Sequence, residues 1–305
     1  MNKTVPDGSL AGAFNGEQRM RGNGTLREVF LGQPKDFLKN RFVYVVLSPR
    51  ARGLTVGINM NPDKLCNFDC VYCEVNRSIP PQEQKLDVPV MAEELEQTLR
   101  YVHSGNLNEH PAFRGLPRDL LELRHVALSG FGEPTLCPNF VEAVQAVVHL
   151  RALGRVPYFK MVLITNGSAL DSPAVLSGLK FFRGTDEVWI KLEAGTQDFM
   201  NRINRPKVSL DKVLSNILLV GRQRPVIIQS LFAALRGEEP PPDEIEHFAE
   251  RLKELKAAGA QIAMVQIYSA NRPIHNPDCT HLKLKSLSII AQAVRKTAEL
   301  PVEVF

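Results

Sequence analysis

No uninterrupted apolar run approaches the roughly 18 residues that a bilayer-spanning helix needs, so no membrane segment is expected. The first residues, MNKTVPDGSLAGAF, hold no apolar core of signal-peptide length, which points to a cytoplasmic protein. Cysteine is scarce. Five occur, an odd number in so long a chain, which argues against a secreted disulfide framework. Neither sign of charge dominates: 37 Lys+Arg stand against 33 Asp+Glu, a net charge of +4. That balance is too small to make nucleic acid the default partner, and no DNA partner is expected. Hydrophobic residues at 44% and charged ones at 23% exclude disorder throughout. Internal repeats are lacking, and Pro240–Pro242 is the one low-complexity tract.

What is present is alternation. Phe42–Leu47 and Leu54–Met60 are β-branched and aromatic runs that read as strands. His125–Ser129, Phe159–Thr165, Glu187–Leu192, Val226–Phe232 and Met264–Tyr268 read as further strands. Between and after them, Val90–His103, Asn139–Leu153, Leu210–Gly221, Asp243–Ala258 and Leu284–Ala298 carry helical spacing. Asn139 reads as the cap of the second helix and Gly154 as its stop. Strand, crossover helix, strand, repeated about six times, requires a parallel sheet, because parallel neighbours need long crossovers. The 305 residues fit either two domains or one α/β barrel. An open doubly wound sheet and a partial or full barrel both suit this order, and both place function at the carboxyl ends of the strands. We expect a single domain over 1–305, with a flexible lead-in over 1–25, a core over about 42–273 and a helical extension over 274–305.

Three of the five cysteines fall just after the second strand, as C-x3-C-x2-C in KLCNFDCVYCEV: Cys66, Cys70 and Cys73. Thiolate is a soft ligand that favours iron–sulfur clusters, zinc or copper(I). Three thiolates on one loop suit three irons of a cubane with the fourth left open, or a zinc ion lacking one ligand. Positions i, i+4 and i+7 also share a helix face, so plain core packing is a third reading.

CNFDCVYC resembles the cluster motif of the radical S-adenosylmethionine (SAM) superfamily, with Tyr72 as the aromatic before the last cysteine. SGFGEPT, Ser129–Thr135, resembles that superfamily's Gly-Gly-Glu-Pro motif, with Phe131 in place of a small residue. Further segments resemble the branch of wyosine-synthase-like iron–sulfur oxidoreductases: Ser48-Pro49-Arg50, Gly53–Gly57, Ile164–Gly167, Ile203–Pro206, and Gln266–Tyr268 with Arg272-Pro273. The likeness runs from about Phe42 to Pro273. Two departures stand out. Lys191-Leu192-Glu193 replaces the branch's frequent Ser-Leu-Asp, and the first 65 residues lack the cysteines with which wyosine synthases hold a second cluster. The resemblance implies a partial (β/α)6 TIM-like barrel of the radical SAM type. It implies that a [4Fe–4S] cluster on Cys66, Cys70 and Cys73 reductively cleaves SAM, and that the resulting 5′-deoxyadenosyl radical abstracts hydrogen from a substrate. A one-electron reductant such as flavodoxin or ferredoxin would be a partner. The competing reading is a zinc or iron–sulfur module without SAM chemistry.

The resemblance places Gly130, Gly132, Glu133 and Pro134 at the methionine end of SAM, Tyr72 and Phe68 against adenine, and Thr165 and Asn166 at the ribose. Lys191 and Glu193 share one strand face with Trp189, and interior charges are costly unless paired or bound to ligand. We therefore assign Lys191 to the SAM carboxylate and Glu193 to ribose or substrate. Gln229 and Tyr268 are further cofactor candidates, and Lys191, Glu193 and Arg272 are the catalytic candidates. Asn201–Arg224 carries Arg202, Arg205, Lys207, Lys212, Arg222 and Arg224 against Asp211 alone. Lys35–Arg52 is similarly basic, and a basic mouth would attract a phosphate-bearing substrate such as an RNA base. A peptide or small metabolite is the alternative. Asn201–Arg224 lacks the aromatic interleaving used for base stacking.

Overall fold

The apolar runs become the strands of one curled sheet. The computed structural model describes residues 37–270 and 274–305; the expected lead-in, Lys35 and Arg272 lie outside the described residues. Strand β1 (Val43–Ser48) folds back as a hairpin on β2 (Gly53–Asn59), antiparallel to it. The chain then alternates: helix α1 (Val88–His103), β3 (Leu123–Ser129), α2 (Phe140–Ala152), β4 (Met161–Thr165), α3 (Pro173–Leu179) and β5 (Glu187–Lys191). Helices α4 (Gln197–Ile203) and α5 (Leu210–Gly221) lead to β6 (Val226–Leu231), and β7 (Ala233–Leu235) follows. Next come α6 (Pro242–Ala257), β8 (Ile262–Tyr268), β9 (Cys279–His281), α7 (Leu284–Ala298) and β10 (Val302–Val304). The main sheet runs β1-β2-β3-β4-β5-β6-β8-β10, and β7 pairs with β9 apart from it. Six consecutive parallel strands from β2 to β8, with helices packed outside, make the partial (β/α)6 barrel.

Three features refine the sequence reading. The segment after residue 274 is not helical alone, because β10 pairs in parallel with β8 and extends the sheet. Asn139 occupies the cap position of α2 without capping it; its side-chain amide donates instead to the Leu86 carbonyl at 2.9 Å. The two sheet edges also approach each other. Arg52, in the β1–β2 hairpin, pairs with Glu303 of β10 at 2.9 Å, and Arg50 lies over the Tyr268 ring of β8. The hairpin thereby bridges the seam of the incomplete barrel.

Residues on the helix side of the strands, among them Val56, Leu128, Leu163, Ile190, Ile228 and Val265, are wholly buried and form the main core. The barrel interior is more polar. His125 of β3 meets Thr55 Oγ1 at 3.2 Å and the edge of Trp189, while Trp189 donates to Glu187, itself paired with Lys160. Burial, reinforced by the charges of Lys160 and Arg50, drives the His125 pKa from 6.5 down to about 3. The folded chain therefore keeps this ring neutral at pH values where the unfolded chain protonates it. Its contribution to stability is complete above about pH 6.5 and declines by about 1.4 kcal/mol per pH unit as the pH falls toward 3. Urea denaturation at pH 7 and pH 5 checks this. The wild type is expected to lose roughly 2 kcal/mol more than His125→Gln over that interval, and equal losses would refute the assignment.

Candidate active site

The loop between β2 and α1 carries the three cysteines, and its backbone is fastened on two sides. On one side the Glu133 N–H donates to the Leu65 carbonyl at 2.9 Å. On the other, Asp69 and Val71 donate to the carbonyls of Asn204 and Ile203 at 3.1 and 2.8 Å, and Lys207 donates to Asn67 at 3.0 Å. Lys64, at φ 62°, turns its ammonium onto the carbonyls of Asn76 and Ile79 at 2.7 and 2.6 Å, closing the loop on itself. No helix forms here, so the reading of three cysteines on one helix face fails. All three thiols are free, half-buried and set in the wall of a cavity of about 290 Å³ at the carboxyl ends of the strands.

Burial pushes the Cys70 thiol up to about 12, with Glu193 adding to it, and raises Cys66 as well. A cation bound to the sulfurs is what would hold such thiols ionised, and metal coordination does so by displacing the proton. Among the described residues, no three His, Cys, Asp or Glu side chains are gathered closely enough for a single ion. The donor set, three soft thiols spread along one cavity wall, suits a polynuclear thiolate-bound centre.

The turn after β3 forms the adjoining wall, and its glycines are needed for close approach. Gly130 has φ 139°, and a Cβ there would lie 2.3 Å from Asn59 Oδ1. A Cβ on Gly132 would lie 1.9 Å from the Leu65 carbonyl oxygen, inside the cysteine loop itself. Asn59 Oδ1 also accepts from the Phe131 N–H at 3.0 Å, which fixes the turn to the end of β2. Glu133 is 2% exposed and ties this turn to β4. Its Oε1 accepts from the Thr135 N–H at 3.1 Å and from the hydroxyls of Thr135 and Thr165; its Oε2 accepts from the Asn166 N–H at 2.7 Å. Burial raises its pKa, and these four donors oppose the rise.

Most of the sequence-predicted residues converge on this one cavity. Phe68, Tyr72, Gly130, Gly132, Glu133, Thr165, Asn166, Lys191, Gln229 and Tyr268 line it together with the cysteines. Pro134 and Glu193 do not reach its wall. Pro134 opens the buried turn behind Glu133. Glu193 sits behind Tyr72, its Oε2 accepting from Asn204 Nδ2 at 2.7 Å while its buried Oε1 has no partner. Lys191 faces the cavity with its Nζ 5.2 Å from the Tyr72 ring centroid. Burial works against its charge, but Tyr268, Glu193, Cys70 and Cys73 more than offset this and raise its pKa, so it stays protonated. Gln229 donates to Gln266 at 2.9 Å.

Asn204 and Asn67 have no role in the sequence reading, and Asn166, assigned there to the ribose, has further contacts. Asn204 donates to the Cys70 sulfur at 3.6 Å, to the Tyr72 hydroxyl at 3.0 Å and to Glu193. Asn166 donates to Asn67 at 2.9 Å and to the Cys66 sulfur at 3.9 Å, linking the ends of β4 and the loop. The motif Ile203-Asn204-Arg205-Pro206 was visible as a resemblance, but nothing in it announced contact with a cysteine 134 residues away.

Comparison with known proteins identifies a family. The family model for the radical SAM superfamily covers residues 60–252. The chain belongs to the radical SAM superfamily. A UPF0026 protein of Helicobacter pylori is 26% identical over 227 residues, spanning 72% of this chain and 64% of that protein. A UPF0026 protein of Methanocaldococcus jannaschii is 24% identical over 245 residues, spanning 80% and 67%. The chain thus spans less than two thirds of the length of its Helicobacter relatives. Three solved structures share the fold. TYW1 with a lysine–pyruvate adduct bound has TM-score 0.54 at 18% identity, covering 84% of each chain. Streptococcus suis SuiB bound to precursor peptide SuiA has TM-score 0.56 at 13% identity, covering 80% of this chain and 47% of that one. Spore photoproduct lyase complexed with dinucleoside spore photoproduct has TM-score 0.51 at 10% identity, covering 79% and 74%.

Within this radical SAM fold several cations of the two basic segments have partners of their own. Arg202 pairs with Glu238, Arg205 with Asp69 and Lys212 with Asp171. Arg222 and Arg224 donate to backbone carbonyls of Ala258, Arg183 and Asp186 past the end of α5, away from the carboxyl ends of the strands. In the other segment Arg41 pairs with Glu83 and Arg52 with Glu303. No helix among the described residues is long and apolar enough to cross a membrane.

Proposed function

We propose that this chain is a radical SAM enzyme whose cavity at the strand ends holds a [4Fe–4S] cluster beside SAM. One observation carries the reading: the three cysteines, the Gly130–Glu133 turn and the Thr165–Asn166 strand end all wall a single cavity, joined through Glu133. A metal module without SAM chemistry has no use for a glycine turn packed against its cysteine loop. When bound, the cluster supplies one electron to the sulfonium of SAM, which yields methionine and a 5′-deoxyadenosyl radical that abstracts hydrogen from substrate.

The residues of the chain bind and orient. Cys66, Cys70 and Cys73 hold the cluster. The Gly130–Gly132 backbone takes the methionine amino group, because Glu133 already accepts four hydrogen bonds and serves chiefly to fix that turn. Lys191, half-buried and protonated, faces the SAM carboxylate. Tyr72 and Phe68 present flat apolar surface to the adenine, and Asn166 and the Thr165 hydroxyl oxygen face the ribose. Gln229 and Tyr268 complete the wall. Glu193 acts through others, holding Asn204 and Tyr72 in place. A flavodoxin or ferredoxin suits the one-electron supply.

The substrate reading is coarser. Proteins of this fold bind a peptide, a lysine–pyruvate adduct or a dinucleoside, so the barrel alone selects no class. RNA has the family resemblance behind it, but five of the cations counted toward an RNA surface are ion-paired and two more bond backbone carbonyls, which favours a ligand small enough to enter the cavity.

Electron paramagnetic resonance tests the cofactor pair. Anaerobically reconstituted, dithionite-reduced protein is expected to be brown before reduction and to give a cluster signal whose g-values move when SAM is added. A colourless zinc protein, or a signal indifferent to SAM, would overturn the reading.

A further inference from the structure

The β1–β2 hairpin carries a cation into the cavity for which the SAM roles above have no use. Ser48, Pro49 and Arg50 share the cavity wall with Tyr268, Ser269 and Ala270. The Arg50 guanidinium carbon lies 4.0 Å from the centroid of the Tyr268 ring, so the ring holds it in place. Its Nε is buried and has no hydrogen-bond partner. The contrast with its neighbours is sharp. Arg41, just before β1, and Arg52, in the hairpin turn, each close an ion pair with a carboxylate, at 2.7 and 2.9 Å.

A guanidinium N–H taken out of water and left unpaired is costly and calls for a partner. Among the buried, unpartnered arginine Nε atoms of the described residues (Arg50, Arg151 and Arg224), that of Arg50 alone belongs to a residue that lines the cavity. The fork of Nε and a terminal nitrogen matches two oxygens of a carboxylate or phosphate side by side. Arg50 has no role of its own toward SAM, although it stacks on one of the residues assigned there, Tyr268. It stands at the seam between the sheet edges, over β8, whereas Lys191 lies on β5, two strands away in the sheet order.

We propose that Arg50 anchors a carboxylate or phosphate group of the substrate, placing the substrate at the seam of the barrel beside the SAM pocket. The inference rests on the SAM reading above, since it assigns the part of the cavity that SAM leaves free. It names the substrate as a small oxyanion-bearing molecule and makes Arg50 a specificity-determining residue.

Equilibrium dialysis tests it on the cluster-loaded protein saturated with SAM, using radiolabelled inorganic phosphate and radiolabelled acetate as probes. Saturable binding of at least one anion is expected, weakened about tenfold or more in Arg50→Gln. Arg50→Lys keeps the charge but loses the fork, and is expected to bind more weakly than wild type. A preference for phosphate identifies a phosphate-bearing substrate, and a preference for acetate a carboxylate-bearing one. Equal binding in wild type, Arg50→Gln and Arg50→Lys would overturn the proposal, as would displacement of SAM by the anion. Formation of 5′-deoxyadenosine by the same wild-type preparation separates the two readings. If it forms and no anion binds, the anchor alone fails. If anion binding depends on Arg50 but no 5′-deoxyadenosine forms, the anchor stands and the SAM reading fails.

Discussion

Replacing Cys66, Cys70 and Cys73 together by alanine is expected to abolish iron binding and SAM cleavage, whereas Cys137→Ala and Cys279→Ala should leave both in place. The first three are half-buried and share the cavity wall; the other two are buried outside it, one ending the turn after Glu133 and one in β9. The triple variant should still fold, because the loop is held by backbone hydrogen bonds from Glu133, Asp69, Val71 and Lys207 that do not involve the sulfurs. Iron and sulfide analysis after anaerobic reconstitution decides the matter. A full complement of iron in the triple variant, or its loss in Cys137→Ala, would contradict the assignment.

The second large effect belongs to Glu133. Alanine there strips the partner from the N–H groups of Thr135 and Asn166 and from the hydroxyls of Thr135 and Thr165, all buried. At about 1 kcal/mol or more for each buried donor left unpaired, Glu133→Ala should lose roughly 4 kcal/mol or more of stability. Glu133→Gln keeps one acceptor oxygen but turns an amide donor toward donors, so an intermediate loss is expected. Because the same carboxylate locks the turn that faces SAM to the strand end that faces its ribose, SAM cleavage should fall further than cluster content in both variants. Urea denaturation and 5′-deoxyadenosine yield per iron read the two effects separately. Wild-type stability in Glu133→Ala would show that the carboxylate does not carry the junction.

How much of this was legible in the sequence depended on range. The six parallel strands and the long helices were, because each strand carries its own β-branched run and each long helix its own periodicity. The seven-residue α3 between β4 and β5 was not. The short elements were not. Helix α4 has seven residues and β10 three, too few to show a period. The cysteine loop and the Gly130–Glu133 turn were legible because their chemistry demands unusual residues at fixed local spacing. The contacts between them were not, because Asn204 reaches Cys70, and Thr165 reaches Glu133, across many residues of chain. Charge misled for the same reason. Arg205 looked free beside its sequence neighbours, yet its partner Asp69 lies in the cysteine loop 136 residues away. Glu193 looked like a ligand group because alternation put it on the face of Lys191, but it does not line the cavity, and Asn204 donates to its carboxylate. Arg50 drew notice only within a motif, and its buried, unpaired Nε is visible only once β8 is folded over the hairpin.

The central claim is that the cavity cleaves SAM, and anaerobic product analysis tests it most directly. Iron-replete wild-type protein, reduced with dithionite and incubated with SAM, should release 5′-deoxyadenosine and methionine in equal amounts. The Cys66, Cys70 and Cys73 triple variant should release neither. Absence of 5′-deoxyadenosine from a sample shown to contain a full, reduced cluster would contradict the account.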